Sequence, residues 1–356
     1  MDLKINRETI PVTEILLDDM QEQSVELDYV LPDYDPDIFR IIGCEIQPVI
    51  LGYAMGTDRI TYEMRADIRV LYCGSGSKLL QCISQQMTFS RNIELPRPAE
   101  APSVLLRPKT TYANCRAVSP RRLEVRGAVS VQIRVAGEKK QEVIQDVFGM
   151  HVQLRKIPVE YAAQKRHAAK NVILNEEIEL GQSKPSVKTI LRSDVRLEHQ
   201  EHSILAGKLI VKGEAQVHLL YTWEKSPEEN GIEQMQFTLP YSQIIDMEQI
   251  DESYQGNAEV QVIRCDLKPC NGKNSAADQI QCELELRLNC TAVKTASAQL
   301  VTDAFSTMYP CEQSTVPLQI DMVPKPIQAT MQCSASLLPG DNAPSCIYDL
   351  RCQVRN

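Results

Sequence analysis

Aromatic residues make up only 5% of this 356-residue chain, with a single Trp and five Phe. A broad stacking platform for sugars or bases therefore has little to be built from. Positive charge is also in deficit. Lys and Arg number 38 against 47 Asp and Glu, giving a net charge of -9 and a pI near 5.3. That balance argues against general nucleic-acid binding, which needs a basic surface. No apolar run approaches the ~20 residues a membrane-spanning helix needs. Charge, Gly or Pro interrupts each run within a few residues. The opening residues Met1 to Arg7 carry no apolar leader core, so synthesis and folding in a cytosol are expected.

Cysteine is the exception, at 12 residues. In a cytosol these thiols are expected to stay reduced and mostly buried, because free Cys behaves as a small hydrophobe. Cys282, Cys290, Cys346 and Cys352 fall at inward positions of alternating runs, in keeping with that expectation. A later oxidising environment would cross-link exposed ones.

The dominant signal is period-2 alternation, the mark of a strand with one dry face. From Arg59 to Tyr72, one face carries Ile60, Tyr62, Met64, Ala66, Ile68, Val70 and Tyr72. The other carries Arg59, Thr61, Glu63, Arg65, Asp67 and Arg69. Similar runs follow at Leu123 to Val135, Leu209 to Tyr221 and Ile280 to Cys290, with a shorter one at Tyr348 to Val354.

Some runs are alike in detail. Arg122 to Val131 and Lys208 to Val217 share basic-Leu-x-Val-basic-Gly-x-small-x-Val. Leu71-Tyr72 aligns with Leu220-Tyr221, and Phe89-Ser90 with Tyr241-Ser242. Upstream, Leu27 and Pro32 align with Leu180 and Pro185, and Arg40 with Arg192. Such self-similarity points to a duplicated supersecondary unit, spaced more widely than most solenoid repeats.

The expected fold is all-β: tandem, small, sandwich-like units with one or two short helices at junctions. The predicted organisation is an N-terminal segment (1–27), then β-units at 28–98 and 105–159. A helical junction (160–177) follows, then β-units at 178–250 and 257–320 and a partial unit at 321–356. The Pro-rich stretch Leu95 to Pro102 separates the first two units. Glu160 to Lys170, rich in Ala and basic residues, is the strongest helix candidate. Asp37 is a candidate N-cap for a second, short helix over Ile38 to Ile42.

Motifs that carry chemistry are weak. Gly74-Ser-Gly76 lacks the third Gly of a dinucleotide loop and reads as a hairpin turn. His199 and His202 form a close pair, which reads as an exposed strand end rather than as zinc ligands. Cys265 and Cys270 have no second pair at finger spacing. Asp28, Asp33, Asp35 and Asp37 have calcium-like composition without the ligand spacing of a calcium loop, and Pro32 and Pro36 stiffen the segment. No catalytic residue, cofactor or metal is assigned, and the chain is expected not to be an enzyme.

Several segments together resemble a known family. They are Asn6 to Ile10, Leu31-Pro-Asp-Tyr-Asp-Pro-Asp-Ile-Phe-Arg-Ile41, Val70 to Tyr72, Phe89-Ser90 and the strand Val211 to Tyr221. They are similar to the SPOCS-domain proteins, the spore coat and SipL-type morphogenetic proteins of clostridial endospore formers. The resemblance is densest from Tyr29 to Leu95 and weakest in the C-terminal third. Its signature residues here are Pro32, Asp33, Pro36, Asp37, Tyr72, Gly127, Gly213 and Tyr221, with Met64 where the pattern usually has Gly. Many relatives end in a LysM carbohydrate-binding module, and none is read in this sequence.

The resemblance implies a non-catalytic role in spore envelope assembly, in the mother-cell cytoplasm and then on the forespore surface and coat. The implied partners are other coat or morphogenetic proteins; in SipL-like proteins the partner is the ATP-driven basement-layer coat protein. Self-association through edge strands is a further expectation, with no nucleic acid and no membrane span. Arg59, Arg65, Arg69, Arg122, Arg126 and Arg134 are candidate contacts for an acidic partner. The alternative function is an array of glycan-binding β-modules, which would need an aromatic-lined groove.

Overall fold

The computed structural model describes residues 4–321 apart from 77, 78, 150, 182, 183, 227 and 271–277, together with Ser334. Among the described residues twelve strands run in chain order: β1 (Lys4–Val30), β2 (Ile38–Met55), β3 (Arg59–Gly74), β4 (Leu80–Glu94), β5 (Ser103–Ser119) and β6 (Arg122–Phe148), then β7 (Val152–Glu179), β8 (Thr189–Leu205), β9 (Lys208–Glu224), β10 (Asn230–Asp246), β11 (Tyr254–Cys270) and β12 (Gln279–Ser306). They form four antiparallel three-stranded sheets, ordered β1-β6-β5, β2-β3-β4, β11-β12-β7 and β10-β9-β8. The last six strands repeat the order of the first six.

The four alternating runs that fall in described residues, in β3, β6, β9 and β12, are each the middle strand of a sheet, where both flanks supply hydrogen bonds and one face supplies the core. In β3 every inward residue from Ile60 to Tyr72 is at most 2% exposed. The inner faces of β1-β6-β5 and β2-β3-β4 share one core, including Val25, Ile46, Ile68 and Val131. The inner faces of β11-β12-β7 and β10-β9-β8 share another, including Val172, Val217, Leu239 and Leu286. The chain thus forms two sandwiches of two sheets each.

The longest strands outrun their third neighbour. β5 ends its pairing at Ala136 of β6, beyond which β1 and β6 continue as a two-stranded ribbon. β7 and β12 do the same beyond Lys294. A two-stranded ribbon is marginal alone. The two ribbons cover each other through Ile10, Val12, Val143, Tyr161, Ala298 and Leu300. The segment after β12 ties them further: Thr13 N donates to Gln319 O at 2.9 Å, and Ala162 N to Asp321 O at 3.0 Å.

Both expected helices are strands. Glu160 to Lys170 lies inside β7 and pairs with β12, apart from a bulge at Ala163. Helix propensity loses here because β7 completes the sheet over a core that a helix would leave uncovered. Ile38 opens β2 and pairs with Gly74, so Asp37 caps no helix. The segment expected at 1–27 to stand apart as an N-terminal segment is, from Lys4 onward, part of the edge strand β1 (Lys4–Val30). The run from Tyr348 to Val354, with Cys346 and Cys352, lies outside the described residues. Among the described residues no helix is long and apolar enough to cross a membrane.

Candidate interaction site

The acidic segment after β1 is shaped by an arginine 84 residues further along. Arg121, in the β5–β6 turn, donates to Asp37 Oδ1 at 2.8 Å, Pro32 O at 2.6 Å and Leu31 O at 3.2 Å. Its guanidinium also stands 3.6 Å from Asp33 Oδ1. Leu31 N and Ile38 N donate to Arg121 O and Pro120 O at 2.8 and 2.7 Å. Asp33 and Asp37 therefore answer a fixed guanidinium, and Pro32 presents its carbonyl to the same fork. Arg121→Ala is expected to cost about 1.5–3 kcal/mol, the range for hydrogen bonds to a charged group. A thermal melt of the variant checks it.

Tyr72 and Tyr221 play matching parts in the two sandwiches. Tyr72 Oη donates to Pro36 O at 3.4 Å, and Tyr221 Oη to Pro185 O at 3.1 Å. Both rings are almost fully buried. Burial, with Asp35 near the first and Glu233 near the second, pushes each phenol up to about 12. This geometry revises two alignments. Pro185 corresponds to Pro36, not Pro32. Ile41 faces Tyr72 and Gly43 faces Leu71, as Ile190 faces Tyr221 and Arg192 faces Leu220. Arg192 therefore corresponds to Gly43, not Arg40. Phe89 opposite Met64 and Tyr241 opposite Gly213 occupy matching positions.

The two signature glycines mark close approaches. A Cβ on Gly127 would lie 2.3 Å from Ile46 Cδ1 of the facing sheet and 2.8 Å from the Tyr112 carbonyl oxygen. A Cβ on Gly213 would lie 2.4 Å from Tyr241 Oη.

The six candidate contact arginines divide into two groups. Arg59, Arg122, Arg126 and Arg134 are on the outside, beside Asp58, Asp28, Glu124 and Asp18 respectively. Arg122 holds the Asp28 carboxyl below its usual range, and Arg126 with Arg116 does the same to Glu124. Arg65 and Arg69 instead point at the second sandwich, so they do not lie on the outer surface open to a partner protein. Arg65 is bidentate to Asp67, at 2.7 and 3.0 Å, and donates to Ile263 O at 2.7 Å. Arg69 donates to Ser193 O at 2.9 Å. From the other side, Arg287 donates to Leu51 O. The outer face of β3 therefore meets β8 and β11 across a polar seam.

A five-residue pattern recurs on the strands of that seam. β3 carries Arg65-Ala-Asp67-Ile-Arg69, β8 carries Arg192-Ser-Asp194-Val-Arg196, and β11 carries Arg264-Cys-Asp266-Leu-Lys268. At strand spacing, each triplet puts basic, acidic and basic side chains on one face. All nine line one cavity of about 510 Å³ between the sandwiches. Arg192 meets Asp194 at 2.5 Å and Arg264 meets Asp266 at 3.0 Å, matching Arg65 and Asp67. The repeated five-residue motif was visible in the sequence; the convergence of its three copies was not.

His199 and His202 are exposed near the end of β8, at a register shift. Nine described cysteines are free. The Cys44 thiol hydrogen-bonds to Cys115, which raises Cys44 and lowers Cys115; Cys265 and Cys282 behave likewise. Among the described residues no three His, Cys, Asp or Glu side chains are grouped as metal ligands.

Residues 186–269 match the family model described as SipL, SPOCS domain. The chain carries a SPOCS domain. It runs from the residue after Pro185 through β8, β9 and β10 and ends in β11. The SPOCS domain so defined contains Gly213 and Tyr221, and two of the three strands that line the seam. It lies in the second sandwich, whereas the resemblance read from the sequence is densest at Tyr29 to Leu95. The match relates the protein to sporulation. No curated protein and no solved structure matches the chain.

Proposed function

We propose that this SPOCS-domain protein is a non-catalytic structural component of endospore envelope assembly. It works through protein–protein contacts, in the mother-cell cytoplasm and then at the forespore surface and coat. The observation that carries the reading is the SPOCS match over residues 186–269. The architecture suits such a role. Four three-stranded sheets give each sheet two edge strands, and edge strands recruit extended segments of other chains or of a second copy. Large apolar side chains stand exposed on some of these edges, among them Met20 on β1, Tyr112 on β5 and Ile244 on β10. Several weak contacts on one chain add through effective concentration.

The test is an affinity pull-down of the tagged chain from sporulating cells, with mass spectrometry of what co-purifies. Enrichment of coat and morphogenetic proteins is expected. Recovery of glycan fragments in their place would contradict the reading and favour the glycan-binding alternative.

A further inference from the structure

We infer that the seam between the two sandwiches is a binding site for a small polyanion bearing phosphate or carboxylate groups. This goes beyond contact with other proteins. The argument rests on where charge is left over. The whole chain has a net charge of -9, yet the cavity is lined by Arg65, Arg69, Arg192, Arg196, Arg264 and Lys268 against Asp67, Asp194 and Asp266.

Within each triplet the acid is already spent. Asp67, Asp194 and Asp266 each bond the arginine two residues before them on the same strand. Arg264 has two more acidic neighbours, Glu283 and Glu285. The second basic residue of each triplet has no such answer. Among the described residues, Arg69 is hydrogen-bonded to the carbonyl and hydroxyl of Ser193 alone. Arg196 and Lys268 are exposed and make no ion pair with a described residue. Three cations from three strands thus face one cavity without a carboxylate of their own.

Like charges held at one site repel one another, and an anion between them relieves that repulsion while gaining charge-assisted hydrogen bonds. The volume, about 510 Å³, falls in the range of small-molecule sites. The lining adds uncharged hydrogen-bonding side chains, Gln47, Ser84 and Gln86, suited to orienting oxyanion groups. Because β3 belongs to one sandwich and β8 and β11 to the other, a bound polyanion bridges the two.

The experiment is isothermal titration of the full chain with sodium tripolyphosphate and, separately, citrate, at low ionic strength. Saturable one-to-one binding of at least one of them is expected. Binding of tripolyphosphate alone assigns a phosphate ligand, and binding of citrate alone a polycarboxylate. The variant carrying Arg196→Gln and Lys268→Gln alters only exposed side chains, and its thermal melt reports whether it folds. It is expected to bind at least about tenfold more weakly, the loss of one charge-assisted contact. Arg116→Gln, outside the cavity, is expected to bind as the parent does. No saturable binding of either probe by the parent chain would overturn the inference. So would equal binding by the double variant, or an equal loss in Arg116→Gln.

Discussion

Replacing Gly127 by valine is expected to unfold the first sandwich or to cost at least about 3 kcal/mol, the upper end for overpacking a core. The reason is what surrounds the missing Cβ. One neighbour is Ile46 Cδ1 of the facing sheet at 2.3 Å, and another is the Tyr112 carbonyl oxygen at 2.8 Å. A side chain can turn away, but a carbonyl held in a strand cannot without moving β5. Gly213 offers the contrast. Its Cβ would meet the Tyr241 ring, with Oη at 2.4 Å and Cζ at 2.6 Å, and no backbone atom is among its nearest neighbours. Gly213→Ala is therefore expected to cost less, and to be rescued by Tyr241→Leu, which removes the ring. The Tyr241 hydroxyl is buried without a hydrogen-bond partner among the described residues. Tyr241→Phe is accordingly expected to stabilise the protein by about 1 kcal/mol, since it removes an unpaired buried polar group. Chemical denaturation of the four variants reads all of these.

Alkaline pH is expected to unfold the protein through Tyr72 and Tyr221. Both phenols are pushed from an ordinary 10.0 up to about 12 by burial. A raised folded-state value means that the fold prefers the neutral phenol. Below pH 10 both folded and unfolded chains hold the proton, and the contribution is fully present. Between pH 10 and 12 the unfolded chain loses its protons first, so stability falls. Above about 12 the contribution is gone. An offset of about two units corresponds to roughly 3 kcal/mol per tyrosine, so the pair accounts for on the order of 5 kcal/mol across that window. Tyr72→Phe and Tyr221→Phe together are expected to flatten the fall between pH 10 and 12. Each replacement costs about 1 kcal/mol at neutral pH, from the hydrogen bond to Pro36 or Pro185. Urea midpoints from pH 8 to 12 measure both effects.

The middle strands were legible because their two faces differ. Ile60 to Tyr72 and Ile280 to Cys290 each write one buried face at period 2, and burial follows it. The edge strands carry no such contrast. In β7, Glu160 to Lys170 has helix-forming composition, and only pairing with β12 across more than a hundred residues makes it a strand. The same separation hid the role of the acidic turn. Asp33 and Asp37 are plain in the sequence, but the Arg121 that they answer comes from the far end of another hairpin. Arg65 and Arg69 looked like an outward polar face because alternation distinguishes wet from dry. It does not distinguish water from a second polar sandwich. The tyrosine-to-proline contacts corrected an alignment that sequence similarity alone had placed four residues away.

A protein that serves the spore envelope by contact, as proposed, must gather where the envelope is built, so where it goes in the sporulating cell is the most direct test. A fluorescent fusion, followed by time-lapse imaging through sporulation in its native host, gives the answer. The account predicts diffuse signal in the mother cell that gathers at the forespore surface and stays with the released spore. Signal that remains diffuse through spore release, or that never depends on sporulation, would contradict it.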